Sequence, residues 1–212
     1  MAKRQTHNKS LPFPSLEHLQ RLTDDTGLLQ HARYIIPYRE EGYCTDDNAR
    51  AVIVASKHYA QYHDQETLQL LNRYLAFVLH SQNSDGSVKN LMNFDRTWRK
   101  NDPGNDALGR VLWALGTVLA KPPSPAHLPI IKEYFENSVA CVKKQSPRGL
   151  AYSILGISEY LKQFPQAGNL KGWMKIAADN LAAQYKKNDF PDWQWFDDAL
   201  TYDNAVMPHA LF

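Results

Sequence analysis

The sequence predicts an all-α fold of antiparallel helical hairpins, with an inner row of helices wrapped by an outer one. Three observations carry that expectation. Helical segments recur in pairs whose leading members start near Asp46, Asp106, Pro147 and Asp203. Those starts are about 60, 40 and 55 residues apart, in or near the period of helical-repeat architectures. The leading members (49–55, 111–120 and 151–157) are small and apolar on nearly every side, while their followers are amphipathic and charged. A helix apolar all round is buried, and an amphipathic one keeps a wet face. The third observation is an echo. Thr45-Asp46-Asp47-Asn48-Ala49-Arg50 opens the first leading helix, Asp106 with Arg110 opens the next, and Thr201-Tyr202-Asp203-Asn204-Ala205 precedes the last.

Taken in order, residues 1–14 read as an extended or disordered leader, and 15–212 as one helical-hairpin domain. Ser15 caps a short helix over 16–22, and Thr23-Asp24-Asp25-Thr26-Gly27 is turn chemistry. Residues 28–36 read as an extended or loop-like lead-in, and 37–45 as a loop. Thr45 is the expected N-cap of a helix running to about Tyr62, with Asp46 and Asp47 in the first turn, where negative charge suits the helix dipole. Asp64 caps a helix over 65–81, with Leu68, Leu71, Leu75 and Leu79 along one face. Residues 87–98 are too polar for a buried helix, and Asp85-Gly86 marks a short β-hairpin or ordered loop. A turn at 101–105 precedes a helix over 106–120, which Pro122, Pro123 and Pro125 stop. Further helices cover 127–144, with Ile130, Ile131, Tyr134, Phe135 and Val139 buried, then 147–164 with Pro147 at its first position, and 169–187. An aromatic loop spans 189–200, and a last helix begins at Tyr202 or Asp203.

Bulk properties exclude several classes. The 212 residues are 43% apolar and 22% charged, with a net charge of +2 from interspersed acids and bases. That pattern leaves no footprint for nucleic acid and no polybasic run for a membrane surface. Cys44 and Cys141 lie far apart with no CxxC spacing, which argues against a structural zinc and makes a reduced, cytoplasmic chain the default. Residues 1–10 are polar and basic, without the apolar core of a secretory signal. No apolar run reaches membrane-spanning length. There is no GxxxxGK[ST] loop, GxGxxG fingerprint or HExxH pair, so no cofactor and no metal site is expected.

The paired-helix pattern resembles the (α/α) toroids of six-hairpin glycosidase-like architecture. Segments 19–32 and 42–51 (the latter Gly42-Tyr43-Cys44-Thr45-Asp46-Asp47-Asn48-Ala49-Arg50-Ala51), together with 93–98, 109–116 and 193–211, are similar to a bacterial family of toroid proteins. Members of that family occur beside, or fused to, sugar-nucleotide glycosyltransferases. The resemblance covers about 16–212. It implies a carbohydrate-active, glycoside hydrolase-like protein, or alternatively a non-catalytic glycan-binding or scaffold module associated with a glycosyltransferase. Six hairpins of about 50 residues need roughly 300 residues, and this chain holds about three and a half hairpins. The expectation is therefore a toroid incomplete at its C-terminal end, whose apolar edge is completed by further chain or by a second copy.

Glycoside hydrolysis needs one carboxylic acid to protonate the leaving oxygen and one carboxylate to activate water or to attack. Adjacent helical residues project about 100° apart, so a working pair draws on different hairpins. The catalytic candidates are Asp46, Asp47, Asp106 and Asp203. Their bland alternative is capping and compensation of the helix dipole. Arg50 and Arg110, a few residues into their helices, either hold a ligand or pair with acids to fix helix register. Asp95, Arg96 and Trp98 form a candidate ligand rim beside a turn. Trp193, Trp195 and Phe196 offer stacking faces flanked by Asp192, Asp197 and Asp198, or else plug one end of the fold. Tyr43, Asn48, Tyr202, Asn204 and His209 complete the substrate-binding candidates. Cys44 has no base partner in the sequence and is set aside as a nucleophile.

Overall fold

The computed structural model describes residues 13–100 and 106–212. The leader, apart from Phe13 and Pro14, and the turn expected at 101–105 lie outside the described residues. Of those residues 59% are helical, in eight α-helices with two small antiparallel sheets. The chain is therefore mostly helical but not all-α, and the sheets correct the sequence expectation.

The elements run α1 (Glu17–Arg21), β1 (Leu29–Arg33), β2 (Ile36–Cys44), α2 (Thr45–Tyr62), α3 (Gln65–Ser81), β3 (Leu91–Met92) and α4 (Ala107–Ala120). They continue with α5 (Leu128–Val139), α6 (Pro147–Gln163), α7 (Gly168–Lys187), β4 (Asp189–Phe190), β5 (Trp193–Gln194) and α8 (Val206–Leu211). Helix α2 lies against α4, α4 against α6, and α6 against α8, forming one row. Helices α3, α5 and α7 cover α2, α4 and α6 from the other side. The core between the two layers is built from residues such as Val52, Leu71, Leu112, Leu115, Phe135 and Ile157, all fully buried.

The segment expected to be a lead-in and a loop is an antiparallel hairpin. β1 pairs with β2 across the Tyr34–Ile35 turn, in the register Ala32↔Pro37 and Arg33↔Ile36. The sequence hid it because its outer half is exposed on both faces, so apolar and polar residues do not alternate. Pro37 is tolerated because β2 pairs with β3 only at Tyr43 and Cys44, which leaves the far edge at Pro37 open. At Gly42, φ is +67° and a Cβ would meet the Met92 carbonyl oxygen at 2.1 Å, so only glycine fits this turn of β2 toward β3.

Thr45 is not the N-cap. It is the first helical residue, its hydroxyl donates to the Lys89 carbonyl at 2.7 Å, and Cys44 in extended conformation takes the cap position. The α2 amides are capped instead from the neighbouring segment. The Thr45 N–H donates to the Asn90 carbonyl at 2.7 Å and the Asp46 N–H to Asn90 Oδ1 at 3.1 Å. The expected Asp64 cap does form, accepting from the Thr67 N–H at 2.8 Å, and Ser146 caps α6 by accepting from the Gly149 N–H at 3.0 Å. Ile130 is exposed rather than buried, since the inward stripe of α5 runs through Ile131, Phe135, Ser138 and Val139. The aromatic loop contains the small β4–β5 hairpin, and the last helix begins only at Val206 after a turn in which Asp203 has φ +48°.

Helices α4 and α6 meet backbone to backbone. A Cβ on Gly116 would sit 2.2 Å from the Gly156 carbonyl oxygen, and one on Gly109 would sit 2.3 Å from that of Gly149. The paired glycines repeat at the same interval on both helices, so the helices stay in close contact over two turns. This closeness draws the N-terminal ends of the row together. Gly116→Ala is expected to lower stability by about 1–3 kcal/mol, the usual range for overpacking a close contact. Urea unfolding measures it, and an unchanged midpoint would contradict the backbone contact.

Candidate functional site

In this row the N-termini of α2, α4 and α6 and the turn before α8 share one end of the molecule. Each helix N-terminus carries partial positive charge and unpaired N–H groups, which favour carboxylates there. The chain supplies Asp46 and Asp47 in the first turn of α2, Asp106 beside α4, and Asp197 and Asp203 on the segment leading to α8. Three guanidiniums, those of Arg50, Arg110 and Arg148, stand among them.

Arg110 is the junction. Its side chain is only 7% exposed, with Nε 3.0 Å from Asp46 Oδ1 and Nη2 2.6 Å from Asp203 Oδ2. The Asp46 contact is a close ion pair without hydrogen-bond alignment. The guanidinium lies 3.7 Å from the centre of the Tyr152 ring, a cation–π contact in a buried setting. The Tyr152 hydroxyl donates to Asp203 Oδ2 at 2.5 Å. One side chain of α4 thus binds α2, α6 and the α8 turn. Burial, reinforced by the hydrogen bond to Asp203, pushes the Tyr152 phenol far up. Burial alone would raise the Asp203 carboxyl, but the Tyr152 hydrogen bond and the Arg110 charge outweigh it and hold that carboxyl below the usual range.

Arg148 repeats the arrangement on α6. It donates to the Tyr202 carbonyl at 2.6 Å and to Asn204 Oδ1 at 3.0 Å, and it pairs with Asp197. Its guanidinium faces the Tyr202 ring at 4.6 Å. Arg50 pairs with Asp46 and lies 3.5 Å from Asp47. Asp106 differs from the other acids. It accepts hydrogen bonds from the Ser146 and Tyr202 hydroxyls and makes no ion pair among the described residues. Burial, with the Asp106 hydrogen bond behind it, pushes the Tyr202 phenol up to about 12. These groups surround a cavity of about 400 Å³ lined by Cys44, Asp46, Arg50, Asn90, Asp106, Ser146, Arg148, Asp197 and Tyr202. The Cys44 thiol donates to Asn90 Oδ1 at 3.2 Å, and burial pushes it up to about 12, so a thiolate nucleophile is disfavoured.

The structure brings together Asp46, Arg50, Asp106, Arg110, Tyr202, Asp203 and Asn204, with Asp47 beside Arg50. It does not bring in the others. Asn48 is fully buried, and its amide serves the fold. Its Oδ1 accepts from the Leu28 N–H at 2.8 Å, while Nδ2 donates to the carbonyls of Leu28 at 3.2 Å and Cys44 at 2.9 Å. Tyr43 points to the opposite face of β2 from Cys44. It donates to Asp24 Oδ2 at 2.6 Å and joins a small second core with Leu29, Phe77 and Met92. Asp95 accepts from the Thr97 N–H and hydroxyl within its own turn. Arg96 pairs with Asp25 at 2.7 Å, and Trp98 packs on Phe77 and His80. The Trp193 indole N–H donates to the Asp197 carbonyl at 2.7 Å and so braces the loop that presents Asp197, and Trp193 does not line the cavity. Trp195 packs edge-on against Phe196, and Asp198 is exposed. His209 lines a different cavity, with Trp113 and Phe212.

Sequence reasoning missed Arg148, Tyr152, Asn90 and Ser146, and it placed Asp197 beside the aromatic loop without foreseeing its pairing with Arg148. A signal existed for the α6 pair, because Ser146-Pro147-Arg148 is a third helix opening with an arginine close behind a capping residue. None existed for Asn90, whose role depends on where β3 meets α2. No protein-family model matches this chain, and no curated protein matches it.

The two shifted carboxyls have opposite consequences. Asp203, held low, stabilises the fold above the ordinary carboxylate range, and that contribution is lost as pH falls through its folded value. Asp47 is raised by burial, against the Arg50 charge and with Asp46 adding to the rise, so its ionisation costs the fold as pH rises. Unfolding measured at about pH 3 and about pH 7 is expected to show Asp203→Asn losing more stability, relative to wild type, at the higher pH. Asp47→Asn should compare better with wild type at the higher pH than at the lower. Parallel profiles for the two variants would contradict the assignment.

Proposed function

We propose that this chain is a carbohydrate-active protein and that its ligand lies in the cavity at the N-terminal ends of α2, α4 and α6. The observation that carries the reading is the lining of that cavity, where carboxylates, guanidiniums, a phenol and a hydroxyl alternate around about 400 Å³. A sugar presents many hydroxyls, each both donor and acceptor, and needs such closely mixed partners. The volume is within the range of small-ligand sites, about 300–1,000 Å³. The row of α2, α4, α6 and α8 covered by α3, α5 and α7 supports reading the fold as part of an (α/α) toroid. That resemblance is also what motivates a glycosyltransferase as a partner.

Within this reading we assign glycoside hydrolase-like chemistry to Asp106 and Asp47. Hydrolysis needs one ionised carboxylate and one proton donor. Asp46, Asp197 and Asp203 are engaged by arginines, whereas Asp106 is held by neutral hydroxyls. Asp47 stands behind Arg50, 3.5 Å away, rather than in the cavity lining, and its carboxyl is raised by burial, the direction a proton donor needs. The same arginine pairing favours a second reading, glycan recognition without turnover, because it occupies most of the acids.

Wild type and Asp106→Asn, each screened for glycan binding by calorimetry and for release of reducing ends, separate the two. The hydrolase reading expects the variant to bind while turnover falls by about 10²–10⁴-fold. Binding without turnover by the wild type would leave the recognition module. Absence of both would contradict the carbohydrate reading.

A further inference from the structure

Tyr202 stands between two cavities. On one side is the cavity of about 400 Å³ that holds Asp106 and Arg148. On the other is an open cavity of about 450 Å³ walled by Arg110 and Asp203. Among the described residues, only Tyr202 and Arg50 line both. Tyr202 as a residue is 53% exposed, although its hydroxyl is bound to Asp106 and its backbone carbonyl is held by Arg148. The partition is therefore tied at two points, with the Arg148 guanidinium over one side of its ring, and the residue as a whole stays about half open to water. Arg50, with its side chain 48% exposed, carries N–H groups that can reach a ligand on either side.

We infer that the two cavities are adjoining subsites for one ligand of at least two linked sugar units, which crosses the Tyr202–Arg50 partition. The inference rests on the carbohydrate reading and adds the size of the ligand. Each volume has room for a pyranose ring and lies in the lower half of the range for small-ligand sites. The Tyr202 face supplies the apolar contact that a sugar ring's C–H face seeks, and Arg50 supplies donors to hydroxyls at the junction. A sugar hydroxyl placed there replaces the phenol on Asp106, hydroxyl for hydroxyl, at little electrostatic cost.

The test is calorimetric, on the full chain. A glycan array first shows whether any saccharide binds. Glucose, mannose, galactose and xylose are then titrated beside maltose, cellobiose, mannobiose, galactobiose and xylobiose. A disaccharide is expected to bind at least about tenfold more tightly than its own monosaccharide, a gain of about 1.4 kcal/mol. Tyr202→Ala should weaken disaccharide binding more than monosaccharide binding and so reduce that advantage to within about twofold. Tyr202→Phe, which keeps the ring and drops the Asp106 bond, should retain the advantage. Equal affinity for the two sizes in wild type, or equal weakening of both by Tyr202→Ala, would overturn the two-subsite inference alone. An array on which no saccharide binds would overturn the carbohydrate reading and this inference with it.

Discussion

The buried guanidinium of Arg110 is the constraint on which the rest of the site depends. Removing such a charge from water is expensive unless it is matched and oriented. Asp46, Asp203 and the Tyr152 ring supply the match from three different elements. The junction can form only if α2, α4, α6 and the α8 turn sit at one register. The polar cluster therefore specifies which ends of the helices meet. Truncating Arg110 would leave carboxylates facing one another without their counter-charge, which is why a buried pair is costly to break even when it adds little net stability.

That register is prepared lower in the row by glycine. The Gly109–Gly149 and Gly116–Gly156 contacts bring α4 and α6 to backbone distance, a closeness that side chains would prevent. With the helices this near, Arg110 reaches Tyr152 and Ser146 reaches Asp106 without stretching. Outer helices α3, α5 and α7 bury the opposite faces and contribute nothing to the cavity lining. Packing and chemistry are thus divided by position. The apolar middle of each inner helix holds the fold, and its first turn holds the polar groups.

Much of this was legible in the sequence because helix starts carry their own chemistry. Asp64 announced its helix through its capping preference, and Ser146-Pro147 through proline at the first helical position, and both caps form. Asp106 with Arg110, and Asp46 with Arg50, were visible as acids ahead of arginines one turn on. The β1–β2 hairpin was not visible, since water on both sides of its outer half erases the alternation that marks a strand. Asn48 was misjudged for a related reason. Nothing in its local sequence reveals that its amide closes onto Leu28 across the turn. Trp193 and Trp195 were assigned by residue type, but composition does not say which way an indole faces, and the Trp193 N–H is bound to the Asp197 carbonyl.

The most direct test of the central claim is a crystal structure of the chain soaked with the tightest-binding saccharide from the array. The account predicts sugar density against Asp106 and the Tyr202 ring, with hydroxyls within hydrogen-bond distance of Arg50. Density in the separate cavity beside Trp113 and His209, with none at the helix N-termini, would contradict it.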